Sequence, residues 1–221
     1  MLQREEINIL NKKDLNNLRS ILKSLIYIIL SFLVLTQNAT ADDKSAAEEL
    51  LKGKLEAVVM VLQNEKHDQE SKKKEVVEIV TPIFDFALMS RLSLGRKHWS
   101  GLAADKKERF KEVFVKCMQE TYLNELTLST NETIIYHEPL QKKKKIHIPT
   151  DVISEKHKFS ILYKLYKSKK SWKIYDVEVE GVSIVLTYRS QFNAILSTGT
   201  IDDLIVKLVN LERKPQSASS E

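Results

Sequence analysis

Apolar residues recur at helical spacing through the first half of the chain and switch to alternation in the second. Leu51, Leu55, Val58, Val59 and Leu62 follow the i, i+3, i+4 rhythm of one helix face. Ser45 with Glu48 three residues on resembles a capping box at its start. After a polar loop over 64–70, Val76, Val77, Ile79 and Val80 mark a short second helix that Thr81-Pro82 ends. The stretch Pro82–Gly95 is apolar nearly all round, which predicts a helix that is fully buried or lines an apolar cavity, with Gly95 as its stop. Phe110, Val113, Phe114, Cys117 and Met118 then define a long helix over 104–128.

Past Ser129 the period becomes two. Segments 132–137, 145–152, 158–166 and 172–179 read as strands, most clearly where Phe159, Ile161, Tyr163 and Leu165 alternate with their neighbours and where Tyr175, Val177 and Val179 do so again. Ser168–Ser171 reads as a hairpin turn, and such short spacings favour antiparallel pairing. Two helices, 183–196 and 201–211, separated by Gly199, close the chain, with Ser183 as the N-cap of the first. Helices, then strands, then helices predict an α+β domain with a curved antiparallel sheet of about four strands.

The first forty residues differ. An eleven-residue apolar run, Leu25–Leu35, follows Lys12, Lys13, Arg19 and Lys23 and precedes the small-x-small site Ala39-Thr40-Ala41. A membrane span needs roughly 20 apolar residues and a signal-peptide core roughly 7–15, so the run predicts a cleaved signal peptide over 1–41. The expected organisation is signal 1–41, domain 42–213 and a disordered tail 214–221. Cleavage would remove five basic residues (Arg4, Lys12, Lys13, Arg19, Lys23) and three acidic ones (Glu5, Glu6, Asp14), leaving 30 against 27 and a net charge of +3. That balance does not point to nucleic acid. The sharpest basic feature, Lys142–Lys145, reads as a solvated strand end or hairpin, with a contact to anionic headgroups or an acidic partner as the functional alternative.

Candidate chemistry is sparse. The five histidines lack metal-ligand spacing, and no nucleotide loop or nucleophile elbow occurs. The single cysteine, Cys117, sits at a helical apolar position and reads as a small core residue. Asp176, among strand residues, reads as a structural hydrogen-bonding acid, with a buried base as the alternative. Neither a catalytic residue, a metal nor a cofactor is expected.

The segments Trp172–Val177, Glu180–Val185, Thr187–Phe192 and Ile201–Ile205 resemble the C-terminal block of the MlaC family. Pro82–Phe86, Leu94-Gly95 with Trp99, and Phe110–Phe114 with Tyr122 resemble its central helices. Members are periplasmic phospholipid-binding components of the Mla pathway, also called toluene-tolerance auxiliary proteins. The resemblance implies an NTF2-like fold and a monomeric, non-enzymatic shuttle that maintains outer-membrane lipid asymmetry. Its implied partners are phospholipid, the MCE-domain subunit of an inner-membrane ABC transporter, and an outer-membrane lipoprotein–porin complex.

On that basis one pocket wall is expected from Phe84, Phe86, Ala87, Leu88, Met89 and Leu92, with Phe114, Met118 and Tyr122 behind it. The facing wall is expected from Phe159, Ile161, Tyr163, Leu165, Val177, Val179, Val182 and Val185. Arg189, with Tyr188, is the expected headgroup contact near a helix N-terminus. Tails need no specific polar partner, so a pocket and an ordinary core draw on the same residues.

Overall fold

The protein is described by a computed structural model covering residues 38–126, 133–153, 158–169 and 171–213, with side chains over 42–121, 133–153, 158–169 and 171–211. The chain divides by its contacts at Ser45/Ala46, and the sheet with its helices belongs to the unit Ala46–Glu221. The expected signal peptide, up to residue 37, and the expected tail lie outside the described residues.

Helix α1 spans Asn38–Leu62, so Ser45, expected as a cap, lies inside a helix rather than at its start. Helix α2 (Gln69–Val80) starts where the Asp68 side chain accepts from the Ser71 amide, and runs into a 3-10 turn, Thr81–Ile83. The next helix, α3 (Phe86–Trp99), is capped by Asp85, whose Oδ1 accepts from the Leu88 amide at 2.8 Å. At Gly95 the backbone is non-helical, φ +77° and ψ 155°, so the first helical segment ends there, as expected, and a second short one follows to Trp99. Helix α4 (Ala104–Leu126) follows.

Six strands come next: β1 (Thr133–Tyr136), β2 (Leu140–Lys142), β3 (Lys145–Ile153), β4 (Lys158–Lys167), β5 (Trp172–Val179) and β6 (Val182–Ser183). The order is β1-β3-β4-β5-β6, with β2 also on β3, and every pairing is antiparallel. Two strands exceed expectation. β2 and β6 are three and two residues long, too short for alternation to show. The β5–β6 turn, Glu180-Gly181, has φ +50° and +76°, the double left-handed pattern that suits the twist of a tight hairpin. Helix α5 (Ile184–Leu196) follows at once, with Ser183 accepting from the Leu186 amide at 3.1 Å, and α6 (Ile201–Arg213) ends the described chain.

The register sorts side chains into two faces, because directly opposed residues point the same way. Ile146, Leu165 and Ile174 form one row of the inner face and Ile148, Tyr163 and Val177 the next. Helices cover this face: its residues join Met89, Phe110, Phe114, Val185 and Phe192 in the main core. An aromatic cluster anchors that core, with Phe114 5.5 Å from Tyr188 and Phe110 5.7 Å from Phe192, both edge-on. A second, smaller core joins Val58 and Leu62 of α1 to Val76 of α2.

Candidate functional site

Burial along the inner face of the sheet is graded. The row Ile146–Leu165–Ile174 is fully buried, and Ile148 and Val177 are buried beside a half-buried Tyr163. One row further, Tyr136, Ile161 and Val179 are half-buried around a buried Thr150. In the last row Ile134 and Val152 are half-buried and Phe159 is 42% exposed. The apolar face is therefore closed at one end and open at the other.

At the open end, α1 faces the edge strand. Glu56, Val59 and Met60, which share a helix face at i, i+3 and i+4, line a cleft of about 270 Å³ with Ile134 and Tyr136 of β1. Met60 is 72% exposed, an apolar side chain at the rim. Lys52 lies 5.6 Å from the Tyr136 ring centre and 4.0 Å from Glu56. The Tyr136 hydroxyl is buried and has no hydrogen-bond partner among the described residues. Burial, then the Glu56 carboxylate, push its pKa up; burial, then Tyr136, do the same to Tyr163. Both phenols therefore stay neutral, in a setting that suits apolar chains and offers one unused polar group.

None of the expected first wall lines this cleft, and Phe84 pairs with Ile174 in the closed row. Phe84 and Phe86 stack at 5.3 Å and are half-buried, as are Leu88 and Leu92, while Met89 is fully buried. Ala87 is exposed, so the segment is not apolar-facing all round. Phe114, Met118 and Val185 lie in the main core, and the Tyr122 side chain lies outside the described residues. Val179 opposes Val182 across the tight hairpin, but Val182 is 60% exposed.

The expected headgroup pair sits elsewhere. Tyr188 is buried in the aromatic cluster, with its hydroxyl 4.0 Å from the Cys117 sulfur, away from the solvent a headgroup requires. Arg189 Nε donates to the Leu92 carbonyl at 2.7 Å. The kink at Gly95 interrupts the helical bonding there, and the guanidinium meets a carbonyl of the broken turn. Asp202, weighed as an arginine partner, pairs with Lys106, and Asp203 accepts from the Thr200 amide and hydroxyl.

Asp176 lies on the outer face, opposite Lys164. Its Oδ2 accepts from Lys164 at 3.0 Å and from Ser183 Oγ at 2.7 Å, and its Oδ1 from the Val185 amide at 3.2 Å. Burial disfavours the Lys164 ammonium, but hydrogen bonds to Glu178 and Asp176 outweigh it and hold its pKa above the ordinary value. With both oxygens engaged on the wrong face, Asp176 is a fastener between β4, β5 and α5. Among the described residues, no group of three or more His, Cys, Asp or Glu could hold a metal ion.

The family pattern described as MlaC protein matches residues 52–210. The chain belongs to the MlaC family. No curated protein matches the sequence. Among solved structures, this MlaC chain is similar to the phospholipid-binding protein from Ralstonia solanacearum in complex with a phospholipid, at 20% identity and a TM-score of 0.68, covering 76% of this chain and 97% of that one. The likeness shows the fold, the expected NTF2-like α+β arrangement, with six strands rather than about four. Among the described residues no helix is long and apolar enough to cross a membrane.

Sequence reasoning missed Glu56, Val59, Met60, Ile134 and Tyr136. The available signal was the i, i+3, i+4 group on α1 and the alternation of Ile134 with Tyr136.

Proposed function

We propose that this protein carries phospholipid, holding acyl tails on the inner face of the sheet beneath α1, and does no chemistry on the lipid. The observation that carries this reading is the apolar face, sealed at the Ile146–Leu165–Ile174 row and open at Phe159 beside the α1 cleft. Membership of the MlaC family, and the phospholipid held by its structural relative, support it.

Size adds a requirement. Ligand pockets span roughly 300–1,000 Å³, and two tails need the upper part of that range, so α1 stands further from the sheet when loaded. Ala47 and Leu51 fix the first half of α1 in the main core, so the half that can move is the later one, which Val58 and Leu62 join to α2. Each CH₂ of the tails brings about 0.8 kcal/mol, which offsets the loss of the bilayer.

The mature protein begins at Asp42 after signal cleavage and works as a monomer in the periplasm. It takes lipid from, or gives it to, an MCE-domain subunit of an inner-membrane ABC transporter and an outer-membrane lipoprotein–porin complex, so maintaining outer-membrane lipid asymmetry. The leader features around Leu25–Leu35 and Ala39–Ala41 support the compartment.

Organic-solvent extraction of the purified protein followed by mass spectrometry is expected to release phospholipid. Protein that neither co-purifies with lipid nor takes it up from vesicles would refute the carrier. Within the cleft, the Tyr136 hydroxyl is the group placed to donate to a lipid ester or phosphate oxygen. Tyr136→Phe is expected to leave stability unchanged or raise it, since a buried unpaired hydroxyl costs about 1–3 kcal/mol. Lipid transfer to acceptor vesicles should quicken severalfold. An unchanged transfer rate would remove Tyr136 from the site.

A further inference from the structure

The four lysines of the sequence run are not alone in the fold. Lys142 ends β2, Lys143 and Lys144 make the turn, and Lys145 opens β3. Lys145 opposes Tyr166 on β4, and β4 ends at Lys167 opposite Trp172. The β4–β5 connection, with Lys169, and Lys173 just beyond therefore lie at the same end of the sheet. Lys142–Lys145, Lys167 and Lys169 are exposed and Lys173 is half-buried.

Elsewhere the picture is mixed: Lys73 meets Glu120, Lys106 meets Asp202 and Lys158 meets Asp151, while Lys97, Lys116 and Lys207, spread over separate helices, form no ion pair among the described residues. At this end, Lys142, Lys143, Lys144, Lys145, Lys169 and Lys173 form no ion pair among the described residues. Lys145 sits 4.0 Å over the Tyr175 ring and Lys173 donates to the Pro82 carbonyl, contacts that leave the charge in place. With adjacent strands about 4.8 Å apart, the centres of the β2–β3 and β4–β5 hairpins are about 10 Å apart, close to the screening length of about 8 Å at physiological salt, so their potentials overlap.

We infer that this lysine-rich end of the sheet docks the protein on an anionic lipid surface, with the cleft facing away from that surface. The residue chemistry favours a lipid layer over a protein. Every cation of the two hairpins is lysine, a hydrated point charge, with no arginine fork. Protein interfaces are depleted in lysine and built on aromatic or arginine anchors; here Trp172 and Tyr175 are buried and the half-buried Tyr166 is engaged with Asp85. The carrier's own cargo is not the ligand. The open end of the inner face, at Phe159, is at the far end of β4 from Lys167, about 26 Å away at 3.3 Å per residue. The docking inference does not depend on lipid carriage.

Sedimentation with vesicles of phosphatidylethanolamine and phosphatidylglycerol tests it, against vesicles of phosphatidylcholine alone. Wild type should bind only the anionic vesicles at about 0.1 M salt and release at about 1 M, where the screening length falls to about 3 Å. The variant Lys142→Gln/Lys143→Asn/Lys144→Gln/Lys169→Gln should lose at least about tenfold in partition, since each lysine at an anionic surface contributes about fivefold. Asparagine suits position 143, which has φ +60°. Lys97→Gln/Lys116→Gln/Lys207→Gln/Lys54→Gln, on helices rather than on the two hairpins and with the same net charge, should stay within about twofold of wild type. Lys142→Arg/Lys144→Arg/Lys169→Arg should retain binding, and all variants should melt with wild type. Equal losses in the two glutamine sets, equal binding to both vesicle types, or no binding by wild type would overturn the inference. So would binding to polyglutamate without binding to vesicles, which would assign the patch to an acidic protein.

Discussion

Asp176→Ala is expected to lower the free energy of unfolding by about 3–5 kcal/mol, the range for breaking a buried ion pair from one side. The change strands Lys164, whose side chain is 13% exposed, with Glu178 as its remaining carboxylate partner. It also removes the acceptor for Ser183 Oγ and the Val185 amide, loosening the start of α5. Asp176→Asn keeps an acceptor oxygen and should cost less, about 1–3 kcal/mol. Urea unfolding measures both. A loss below about 1 kcal/mol for alanine would mean the network is redundant. Lipid content of the folded fraction should be unchanged, which separates a fastener from a catalytic base.

Val59→Trp should do the reverse, sparing stability and emptying the carrier. Val59 faces open space between α1 and β1, so an indole there enters the cleft rather than a packed core. A ring that displaces two or three CH₂ groups forfeits about 2 kcal/mol, roughly a thirtyfold loss of affinity. Ala87→Trp is the matched control, since Ala87 is exposed and should tolerate the ring with no loss of lipid. Mass spectrometry of bound lipid and thermal melts read the pair. Strong destabilisation by Val59→Trp, at the 1–3 kcal/mol or more of overpacking, would mean the cleft is core. Lipid loss from Ala87→Trp would shift the pocket towards α3.

Most of the fold was legible because period decides it. The helix face Leu51–Leu62 and the alternation Phe159–Leu165 each had enough residues to betray their geometry. β2 and β6 did not. Leu140-Gln141-Lys142 holds one apolar residue, and Val182-Ser183 hides behind a turn readable only as Glu-Gly. The site was half legible. Ile161, Tyr163 and Val179 lie on the graded face, but the opposite wall was sought on Pro82–Gly95, whose apolar residues are shared between the core and half-buried positions. Val59 and Val58 are neighbours in one apolar stripe, and spacing does not say that Val58 joins a core while Val59 borders a cleft. Arg189 looked like an anion ligand because a helix N-terminus was near. The kink it serves at Gly95 depends on a φ that composition does not reveal.

The sheet's long strands, β3, β4 and β5, with nine, ten and eight residues, are interior. Its borders are strands of four, three and two residues, interrupted on one side by Pro139 and supplemented on the other by the Asp85 amide donating to the Ile174 carbonyl at 2.8 Å. Short, broken borders offer no template for another chain to extend the sheet. A protein that must keep one apolar face ajar is thereby protected from the commonest route to fibrous aggregation, and can be abundant without self-association through its backbone.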